Sequence, residues 1–411
     1  MIPSVVVVGG GFGGLAVARR LEHRARVTVV SDQNFQLFTP MLAEVASGDL
    51  DPRHIITPIR QMAPNARVVS GVAESVDPDR RTVKVKRPFG LEPVELTADA
   101  VVVAPGSIPA TFGIPGVDEW TIPFKTISDA IKIRNRILAL LESATEEPDP
   151  RITHVAVVGA GYSGAELAAA LADFLGVAAR RFFTLAPHPA VTLIDAVDRV
   201  TPTLSKRLSA IAERALSSRG VDLVLGERVE QVTPHGLDLS SGRRIEAETV
   251  IWSAGVKPHP LVAEIGLPTE RGRLVVDSRL QAAPGIFAVG DSGLIPDGKG
   301  AISPPTAQFA LRQGKYLGRH LPAIVAGEPA PDFKYRNLGE LVSLGHRNAV
   351  GQVLGFPVSG FLAWFMWRSY YLMRLPSVLR KTRVALDWTL DLMFPPDVAW
   401  LPSSDLGPDV R

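Results

Sequence analysis

Two glycine-rich stretches carry the strongest chemical signal in this sequence of 411 residues. Each has the spacing G-x-G-x-x-G. In such a repeat the first glycine makes a tight turn, the second lets a pyrophosphate approach the backbone, and the third lets a helix pack closely on a strand. The two sets are Gly9, Gly11 and Gly14 in GGGFGG, and Gly159, Gly161 and Gly164 in GAGYSG. Two matches in one chain predict two bound nucleotides, each with its phosphates at the positive end of a helix.

The residues that end the second strand of each repeat decide how a ribose is held. In the second repeat the strand VTLID ends on Asp195, whose carboxylate can bind a ribose diol and would repel a 2′-phosphate. NADH is therefore favoured over NADPH, although the nearby Arg199 keeps NADPH as an alternative. In the first repeat Ser31 and Asp32 follow the strand RVTVV. We expect Asp32, Ser31 or the backbone to contact the ribose, the alternative being that Asp32 is an ordinary loop residue.

Two further acidic residues are candidates for chemistry. Glu166 lies two residues after the third glycine of the second repeat, where the pattern predicts the first turn of a helix. It either complements the helix macrodipole or lies near the reactive ring of the second nucleotide, and the sequence supports both equally. Asp291 ends the strand IFAVGD and can accept hydrogen bonds from a polyol chain. A helix predicted to begin near Pro305 presents its positive N-terminus just beyond Asp291, where it can stabilise negative charge on a reduced isoalloxazine ring.

Composition narrows the chemistry further. The chain has no cysteine, which removes disulfides, iron–sulfur clusters, thiolate metal sites and redox-active dithiols, so redox chemistry requires a bound organic cofactor. A net charge of +2 gives no case for nucleic-acid binding, and the spacing of histidines and acids predicts no metal site.

No apolar run approaches the ~18 residues that span a bilayer. The first strand begins almost at Met1, which leaves no room for a signal peptide and predicts a cytoplasmic protein.

The elements that position these residues form a repeated strand–turn–helix unit. The β-branched runs VVVV and HVAVV precede the two glycine turns, and small apolar residues follow each turn. Each half later contains a strand that ends in a glycine turn, at Ala104-Pro105-Gly106 in the first half and at Gly255 in the second. Two shorter runs, 67–69 and 82–85, predict strands of a small additional sheet.

Together these elements predict an α/β fold with two Rossmann-like dinucleotide-binding domains and a C-terminal membrane-facing segment. The first domain is discontinuous, with residues 1–110 and 262–328, because the strand that ends at Asp291 must return to complete its site. Residues 111–261 form the second domain, and residues 329–411 form the C-terminal region.

Two apolar segments lie outside the repeats. NFQLFTPMLAEVASGDL contains Pro40 and either packs in the core, which the sequence favours, or lines a ring-shaped ligand. SGFLAWFMWRSYYLMRL is rich in aromatic residues, with Arg368 and Arg374 beyond its apolar core and a basic cluster following at 380–383. Aromatic helices flanked by basic residues suit the surface of a membrane. The alternative for this segment is a buried interface between domains or between two subunits.

Several of these stretches match a known family. From GGGFGG to the aromatic segment near Trp388, the chain resembles the flavoprotein reductases with two dinucleotide-binding domains. Within them it resembles the type II NADH dehydrogenases, also called NADH:quinone oxidoreductases. The matching stretches include LFTPMLAEVASG, GAGYSGAELA, WSAGVKPHPL, IFAVGDSG and PPTAQFALRQGKYLG.

The resemblance implies an FAD-dependent enzyme that passes a hydride from NADH to FAD and two electrons to a quinone, without pumping protons. Gly9, Gly11 and Gly14 would hold FAD with Asp291 on its ribityl chain. The second glycine set and Asp195 would hold NADH. Glu166 matches an acid implicated in NADH binding and in proton supply to the quinone. The remaining expected cofactor contacts are Gly13, Ser31, Asp32, Pro40, Ala104, Gly106, Gly255, Gly290, Ala307 and Gln308.

One departure from the family concerns the electron acceptor. Ala307, Gln308 and Ala310 begin the quinone motif A-Q-x-A-x-Q, but its last position is Arg312. A guanidinium cannot accept a hydrogen bond from a hydroquinone, so Arg312 either donates to a quinone carbonyl or binds an acidic headgroup. We expect Gln308 and Arg312 to contact the acceptor.

Other functions and partners stay open at this point. One alternative is a soluble NAD(P)H-dependent flavin reductase that serves a protein or small-molecule acceptor. Another is a non-catalytic redox-sensing protein that only holds the two nucleotides. The related sulfide:quinone and disulfide reductases need cysteines, which this chain lacks. The resemblance implies attachment to the inner face of the cell membrane, and a homodimer is a possible assembly.

Overall fold

The computed structural model of the protein describes residues 2–146, 149–181, 189–298, 300–335, 337–394 and 397–400. Within this part, the chain forms two compact units. The first contains Met1–Leu37, Ile56–Ile108 and Val256–Asn337. The second contains Phe38–Ile55, Pro109–Gly255 and Leu338–Arg411. Residues 401–411 of the predicted C-terminal region lie outside the described residues.

Over the described chain, α-helices separate runs of one to six strands. The strands are β1 Ser4–Val8, β2 Arg26–Ser31, β3 Phe35–Leu37, β4 Ile56–Pro58, β5 Arg67–Ser70, β6 Val72–Asp77, β7 Thr82–Lys86, β8 Val94–Thr97, β9 Ala100–Val103, β10 Ser107–Pro109, β11 Ile122–Pro123, β12 His154–Val158, β13 Ala190–Asp195, β14 Val221–Leu225, β15 Val229–Thr233, β16 Gly236–Leu239, β17 Arg244–Glu246, β18 Thr249–Trp252, β19 Val256–Pro258, β20 Thr269–Glu270, β21 Arg273–Val275, β22 Gln281–Ala283, β23 Ile286–Ala288, β24 Gly293–Leu294, β25 Gly339–Ser343, β26 Ala349–Val353 and β27 Phe356–Ser359. The α-helices are α1 Phe12–Leu21, α2 Leu42–Ser47, α3 Ile59–Met62, α4 Val117–Trp120, α5 Ile127–Glu146, α6 Tyr162–Ala178, α7 Lys206–Ser217, α8 Leu261–Glu264, α9 Ala307–Val325, α10 Gly360–Arg374 and α11 Val378–Asp391. Short 3₁₀ turns cover Thr39–Met41, Pro52–His54 and Gly290–Ser292.

The first unit is built on a six-stranded sheet with the order β22-β23-β9-β1-β2-β5. Strand β1 lies in the middle, parallel to β2 and β9, and its valines are almost fully buried because β-branched side chains pack well on both faces of a parallel sheet. Helix α9 crosses α1 closely. A Cβ added to Gly314 of α9 would lie 2.3 Å from the carbonyl oxygen of Gly13, so only a glycine permits this approach.

One strand of the first unit lies elsewhere than predicted. The predicted strand at 67–69 is β5, which pairs in parallel with β2 at the edge of the six-stranded sheet. The prediction that it shares a small sheet with the strand at 82–85 is therefore wrong, and β7 pairs instead with β6 and β8. Its four residues carry too little periodicity to tell one sheet from another.

The second unit repeats the plan with a parallel five-stranded sheet, β11-β18-β12-β13-β14. Its central strand β12 runs into the second glycine turn and helix α6. An antiparallel sheet of β25, β26 and β27 follows later in the same unit. The sequence predicted paired strands in 333–350. β25 lies within that range, β26 begins in it and continues to Val353, and β27 was not predicted.

The C-terminal helices α10 and α11 differ from the prediction in one important residue. Arg368 does not lie beyond the apolar core of α10, because its side chain is only 11% exposed. Its guanidinium carbon lies 4.2 Å from the ring centre of Trp364 and 4.6 Å from that of Trp388. Residues 364 and 368 are four apart and therefore share one helix face, which turns Arg368 inward with the tryptophan. Within the described residues, no helix combines the length and apolar character needed to cross a bilayer.

Candidate functional site

The first glycine turn joins β1 to α1, and its glycines have two different physical explanations. Gly9 has φ of +113°, and a Cβ added to it would lie 2.1 Å from the carbonyl oxygen of Ala104. A Cβ on Gly14 would lie 2.1 Å from the carbonyl oxygen of Gly9. Protein packing therefore requires both glycines. A Cβ on Gly11 would meet no protein atom within 4 Å, so packing does not explain Gly11, whereas a pyrophosphate at the N-terminus of α1 does.

The second glycine turn joins β12 to α6 with the same geometry. Gly159 has φ of +109°, and a Cβ on it would lie 2.5 Å from the carbonyl group of Ser253. A Cβ on Gly164 would lie 1.8 Å from the carbonyl oxygen of Gly159, whereas Gly161 again has no protein atom within reach. Ser253 follows β18 as Ala104 follows β9, so both turns are closed by the strand next to the central one. The residues at both turns fit a dinucleotide.

The two turns differ at the end of the second strand. The registers Val8–Val30 and Val158–Ile194 place Ser31 and Asp195 at equivalent positions in their sheets. The carboxylate of Asp195 accepts hydrogen bonds from the backbone N–H of Ala160, at 2.5 Å, and of Val197, at 2.8 Å. An ionised carboxylate has about four lone pairs, so Asp195 retains capacity for ribose hydroxyls.

Ser31 occupies this position in the first unit without a carboxylate. Its side chain is buried, and its Oγ lies 2.7 Å from where a Cβ on Gly10 would be. Asp32 is exposed, one residue beyond β2. Neither residue is tested as a ribose contact, and both stay predictions.

Asp291 lies on the 3₁₀ turn that directly follows β23 in the first unit. Its Oδ2 accepts a hydrogen bond from the Ser107 hydroxyl at 2.5 Å. The N–H of Gly290 donates to Oε1 of Gln313 on α9 at 2.8 Å, which fixes the turn against that helix. The helix begins at Ala307, which agrees with the predicted start near Pro305, and the hydroxyl of its N-cap Thr306 accepts a hydrogen bond from the N–H of Phe309.

Gln308 and Arg312 are brought together through Tyr335 of the same unit. The Tyr335 hydroxyl donates to Oε1 of Gln308. The guanidinium of Arg312 lies 5.3 Å from the centre of the Tyr335 ring, and Phe309 meets that ring edge-on at 4.6 Å. Tyr335 was not predicted from the sequence, because a single aromatic residue in FKYRN carries no signal of its own.

The remaining predicted contacts are distributed over both units. In the first unit, Gly13 faces Val289, because a Cβ on it would lie 2.9 Å from that side chain, and Gly106 has φ of +80° with open space around it. In the second unit, Gly255 follows β18 with φ of +144°, and Pro40 lies on the 3₁₀ turn Thr39–Met41. Their contacts with cofactors stay predictions.

Glu166 is a half-buried acid on the face of α6 that meets β25 and α10. Its Oε1 accepts hydrogen bonds from the N–H of Ser343, at 3.0 Å, and from the indole N–H of Trp367, at 3.1 Å. Burial raises the pKa of Glu166 to about 8, although both hydrogen bonds oppose that shift. The predicted place in the first turn is wrong, because α6 begins at Tyr162 and its first turn holds no acid. The macrodipole alternative therefore does not account for Glu166.

Further ionisable residues surround Glu166, and the sequence analysis did not single them out. Glu44 and Asp49, in the apolar segment around α2, line one cavity with Glu166 and Arg368. Burial raises the pKa of Glu44 to about 8 and that of Asp49 to about 7. The available signal was the presence of two acids in an otherwise apolar stretch.

Comparison with known proteins agrees with the fold and the two nucleotide-binding turns. The family of pyridine nucleotide-disulphide oxidoreductases matches residues 3–314, which defines the class of protein. The C-terminal domain of NDH2 matches residues 337–396. The chain therefore belongs to the type II NADH dehydrogenase (NDH2) family. The family resemblance inferred from the sequence and the predicted α/β fold are both confirmed.

The relatives match over nearly the whole chain. An internal alternative NAD(P)H-ubiquinone oxidoreductase A1 from Solanum tuberosum mitochondria is 30% identical over 97% of this chain and 88% of its own length. The type II NADH:quinone oxidoreductase NdhA of Mycobacterium tuberculosis is 30% identical over 95% of this chain and 87% of its own. The structure of NDH2 from Plasmodium falciparum in complex with NADH has the same fold, with a TM-score of 0.91 at 19% identity, covering 97% of this chain and 100% of that one.

Proposed function

We propose that the protein is an FAD-dependent NADH:quinone oxidoreductase that does not pump protons. The observation that carries this proposal is the pair of glycine turns with matching geometry in a chain of the NDH2 family. The relatives from Solanum tuberosum and Mycobacterium tuberculosis are named for the same reaction.

Two sets of residues bind the nucleotides in this proposal. The N-terminus of α1 with Gly11 holds the pyrophosphate of FAD, and Asp291 holds its ribityl chain. Gly161 and Asp195 hold NADH, where the carboxylate binds the ribose and repels a 2′-phosphate. FAD, when bound, supplies the redox chemistry by accepting a hydride from NADH and passing two electrons to the quinone.

The protein itself contributes charge and protons. Helix α9 directs its positive N-terminus toward negative charge on the reduced ring. Glu166 is largely neutral at physiological pH because burial raises its pKa to about 8, so it holds a proton for quinone reduction. Gln308 and Arg312, held by Tyr335, contact the acceptor headgroup.

The second part of the proposal is that α10 and α11 attach the enzyme to the inner face of the cell membrane. Exposed apolar side chains on and after these helices support it: Phe361, Leu362, Phe365, Met373, Val378, Leu379, Leu386, Leu390, Leu392, Met393 and Phe394. Arg380, Lys381 and Arg383 on α11 suit anionic headgroups. Flotation with anionic liposomes tests this, and wild-type protein that stays at the bottom of the gradient contradicts it. A homodimer is the alternative use of this surface, and the mass of the protein in detergent-free solution distinguishes the two.

Anaerobic stopped-flow spectroscopy of the purified holoenzyme tests the reaction. We expect NADH to bleach the flavin faster than NADPH does, and a quinone to restore the oxidised spectrum.

Arg312 favours a second candidate, a reductase whose acceptor is an acidic small molecule or a protein. Reduction by NADH with no reoxidation by any of a panel of quinones supports that candidate and contradicts quinone reduction.

A further inference from the structure

A cavity of about 650 Å³ lies inside the second unit, with walls from α2, α6, α10 and the end of α11. It is large enough for a chain of water molecules. The acidic residues that line it are Glu44, Asp49, Glu166, Asp173 and Asp391. Only Glu166 has a part in the proposed reaction so far, so the other acids need an explanation.

The positive charge in the described walls does not balance these acids. Arg368 is fixed between two tryptophan rings, and its Nη2 lies 4.0 Å from Oε1 of Glu44 and 3.7 Å from Oδ2 of Asp391. Arg219 forms an ion pair with Asp173, and Arg134 of α5 donates a hydrogen bond to the carbonyl of Ser47, near Asp49. Arg180 is exposed to solvent. Burial lowers the pKa of His346, which disfavours its charged form. Several carboxyl groups therefore keep protons at neutral pH, because buried carboxylates without a cation are costly.

Glu44 and Glu166 are held in parallel ways. The indole N–H of Trp388 donates to Oε1 of Glu44 at 3.1 Å, as that of Trp367 donates to Oε1 of Glu166 at 3.1 Å. The two indole rings are 6.3 Å apart. Oε2 of Glu44 is fully buried and has no hydrogen-bond partner in the described part of the chain. A buried carboxyl oxygen without a protein partner is favourable only if it carries a proton or contacts cavity water.

On the basis of the proposed function, we infer that Glu44 passes protons through this cavity to Glu166 and that Asp49 resupplies Glu44. Reduction of a quinone to a hydroquinone takes two electrons and two protons, whereas the hydride from NADH carries two electrons and one proton. The missing proton must come from water in each turnover. Glu166 gives its proton toward the quinone, takes one from Glu44 through water, and Glu44 is reprotonated from solvent by way of Asp49. All three carboxyl groups then return to their starting states.

The acidities of the three groups suit such a transfer. Burial raises the pKa of Glu44 and of Glu166 to about 8 and that of Asp49 to about 7. Arg368 opposes the shift at Glu44, whereas Asp49, Asp391 and Glu166 add to it. A proton therefore moves between groups of similar acidity near physiological pH, which keeps the transfer close to thermoneutral.

The variant Glu44→Gln separates this inference from the proposed function. We expect anaerobic bleaching of the flavin by NADH to stay within about 2-fold of wild type, while reoxidation by a quinone over repeated turnovers slows about 10- to 100-fold, because Glu166 must be reprotonated before each further turnover. The isosteric control is Glu119→Gln, at an exposed residue of the same unit, which should leave both rates unchanged. Wild-type protein that reduces no quinone refutes the proposed function, whereas Glu44→Gln with wild-type reoxidation refutes only the relay.

Two further variants keep the inference testable if Glu44→Gln is poorly folded, and an infrared titration adds a spectroscopic measurement where it folds. Glu44→Asp retains a titratable group and should recover a large part of the reoxidation rate. Trp388→Phe removes a donor to the ionised form of Glu44, so the alkaline limit of reoxidation should move to higher pH. In the infrared, wild type should lose a protonated-carboxyl band as the pH rises through about 8, and Glu44→Gln should lack that component. An unmoved alkaline limit, or identical infrared titrations, would overturn the relay.

Discussion

The two glycine turns share a backbone but differ in two side chains, and the differences indicate what each repeat does. At the end of the second strand, the first repeat has the buried Ser31 and the second has Asp195, whose carboxylate bonds to the turn itself. Two residues after the third glycine, the first repeat has Ala16 and the second has Glu166. The backbone thus provides a place for a dinucleotide, and side chains at equivalent positions determine its identity and chemistry.

The neighbours of Ala16 and Glu166 explain the second difference. Ala16 allows α9 to approach, since a Cβ on Gly314 would lie 2.8 Å from the Ala16 Cβ. Glu166 instead faces Ser343 and Trp367, which provide hydrogen-bond donors. The first repeat uses this position for packing, whereas the second places an ionisable group there.

The largest expected effect is a loss of stability when a glycine that packing requires is replaced, compared with the replacement of a glycine that only a ligand explains. Gly9→Ala forces a Cβ against the Ala104 carbonyl at positive φ and should lower the free energy of unfolding of the apoprotein by about 3 kcal/mol. Gly11→Ala, in open space at φ of −82°, should leave that stability nearly unchanged and reduce flavin retention. Chemical denaturation of both apoproteins measures the contrast, and equal destabilisation would show that the two glycines are not distinct.

The carboxylate of the second repeat should control the choice of nicotinamide nucleotide. Asp195→Asn removes the negative charge that repels a 2′-phosphate and weakens ribose binding, so the NADH-over-NADPH preference in kcat/KM should fall about 10- to 100-fold. Ser31→Ala at the equivalent position should leave flavin content within about 2-fold. A large loss of flavin in Ser31→Ala would mean that the first repeat also depends on a side chain at this position.

Glu166 should make stability depend on pH in a way that Ala16 does not. Burial raises its pKa from an ordinary value of 4.5 to about 8, so between these values the unfolded chain is ionised while the folded protein must keep a proton. Because ionisation then favours the unfolded chain, the free energy of unfolding of the wild type falls as the pH rises from about 4.5 to 8. Glu166→Gln lacks the effect, so its stability relative to wild type should increase over that interval. Denaturant melts at several pH values test this, and parallel pH profiles would contradict it.

The smallest expected effect concerns the acceptor end of α9. Arg312→Gln restores the family residue but gives up the contact with the Tyr335 ring. We expect kcat/KM for a neutral quinone to change only about 3-fold, because one hydrogen-bonding side chain replaces another. A preference for acidic acceptors that disappears in this variant would show that Arg312 selects the headgroup.

Local sequence was sufficient to predict the two repeats. The strands, the glycine spacing and Asp195 follow each other within short stretches, so periodicity and spacing define them. The return of the chain to β23 and Asp291 was also predictable, because a strand ending in Gly-Asp follows the second repeat.

Contacts between distant segments could not be predicted. Nη2 of Arg368 lies 4.0 Å from Oε1 of Glu44 although the two residues are 324 positions apart in sequence, and neither segment predicts the other. The burial of Glu44 and Asp49 likewise depends on tertiary packing, and their pKa values follow from that burial.

Flavin bleaching in Gly161→Val tests the assignment of the two turns most directly. A Cβ at this position meets no protein atom within 4 Å, and the valine side chain would occupy the space proposed for the pyrophosphate of NADH. The account predicts a variant that retains wild-type flavin content but is bleached at least about 10-fold more slowly by limiting NADH under anaerobic conditions. Bleaching at the wild-type rate, or loss of flavin from this variant, would contradict the assignment of FAD to the first turn and NADH to the second.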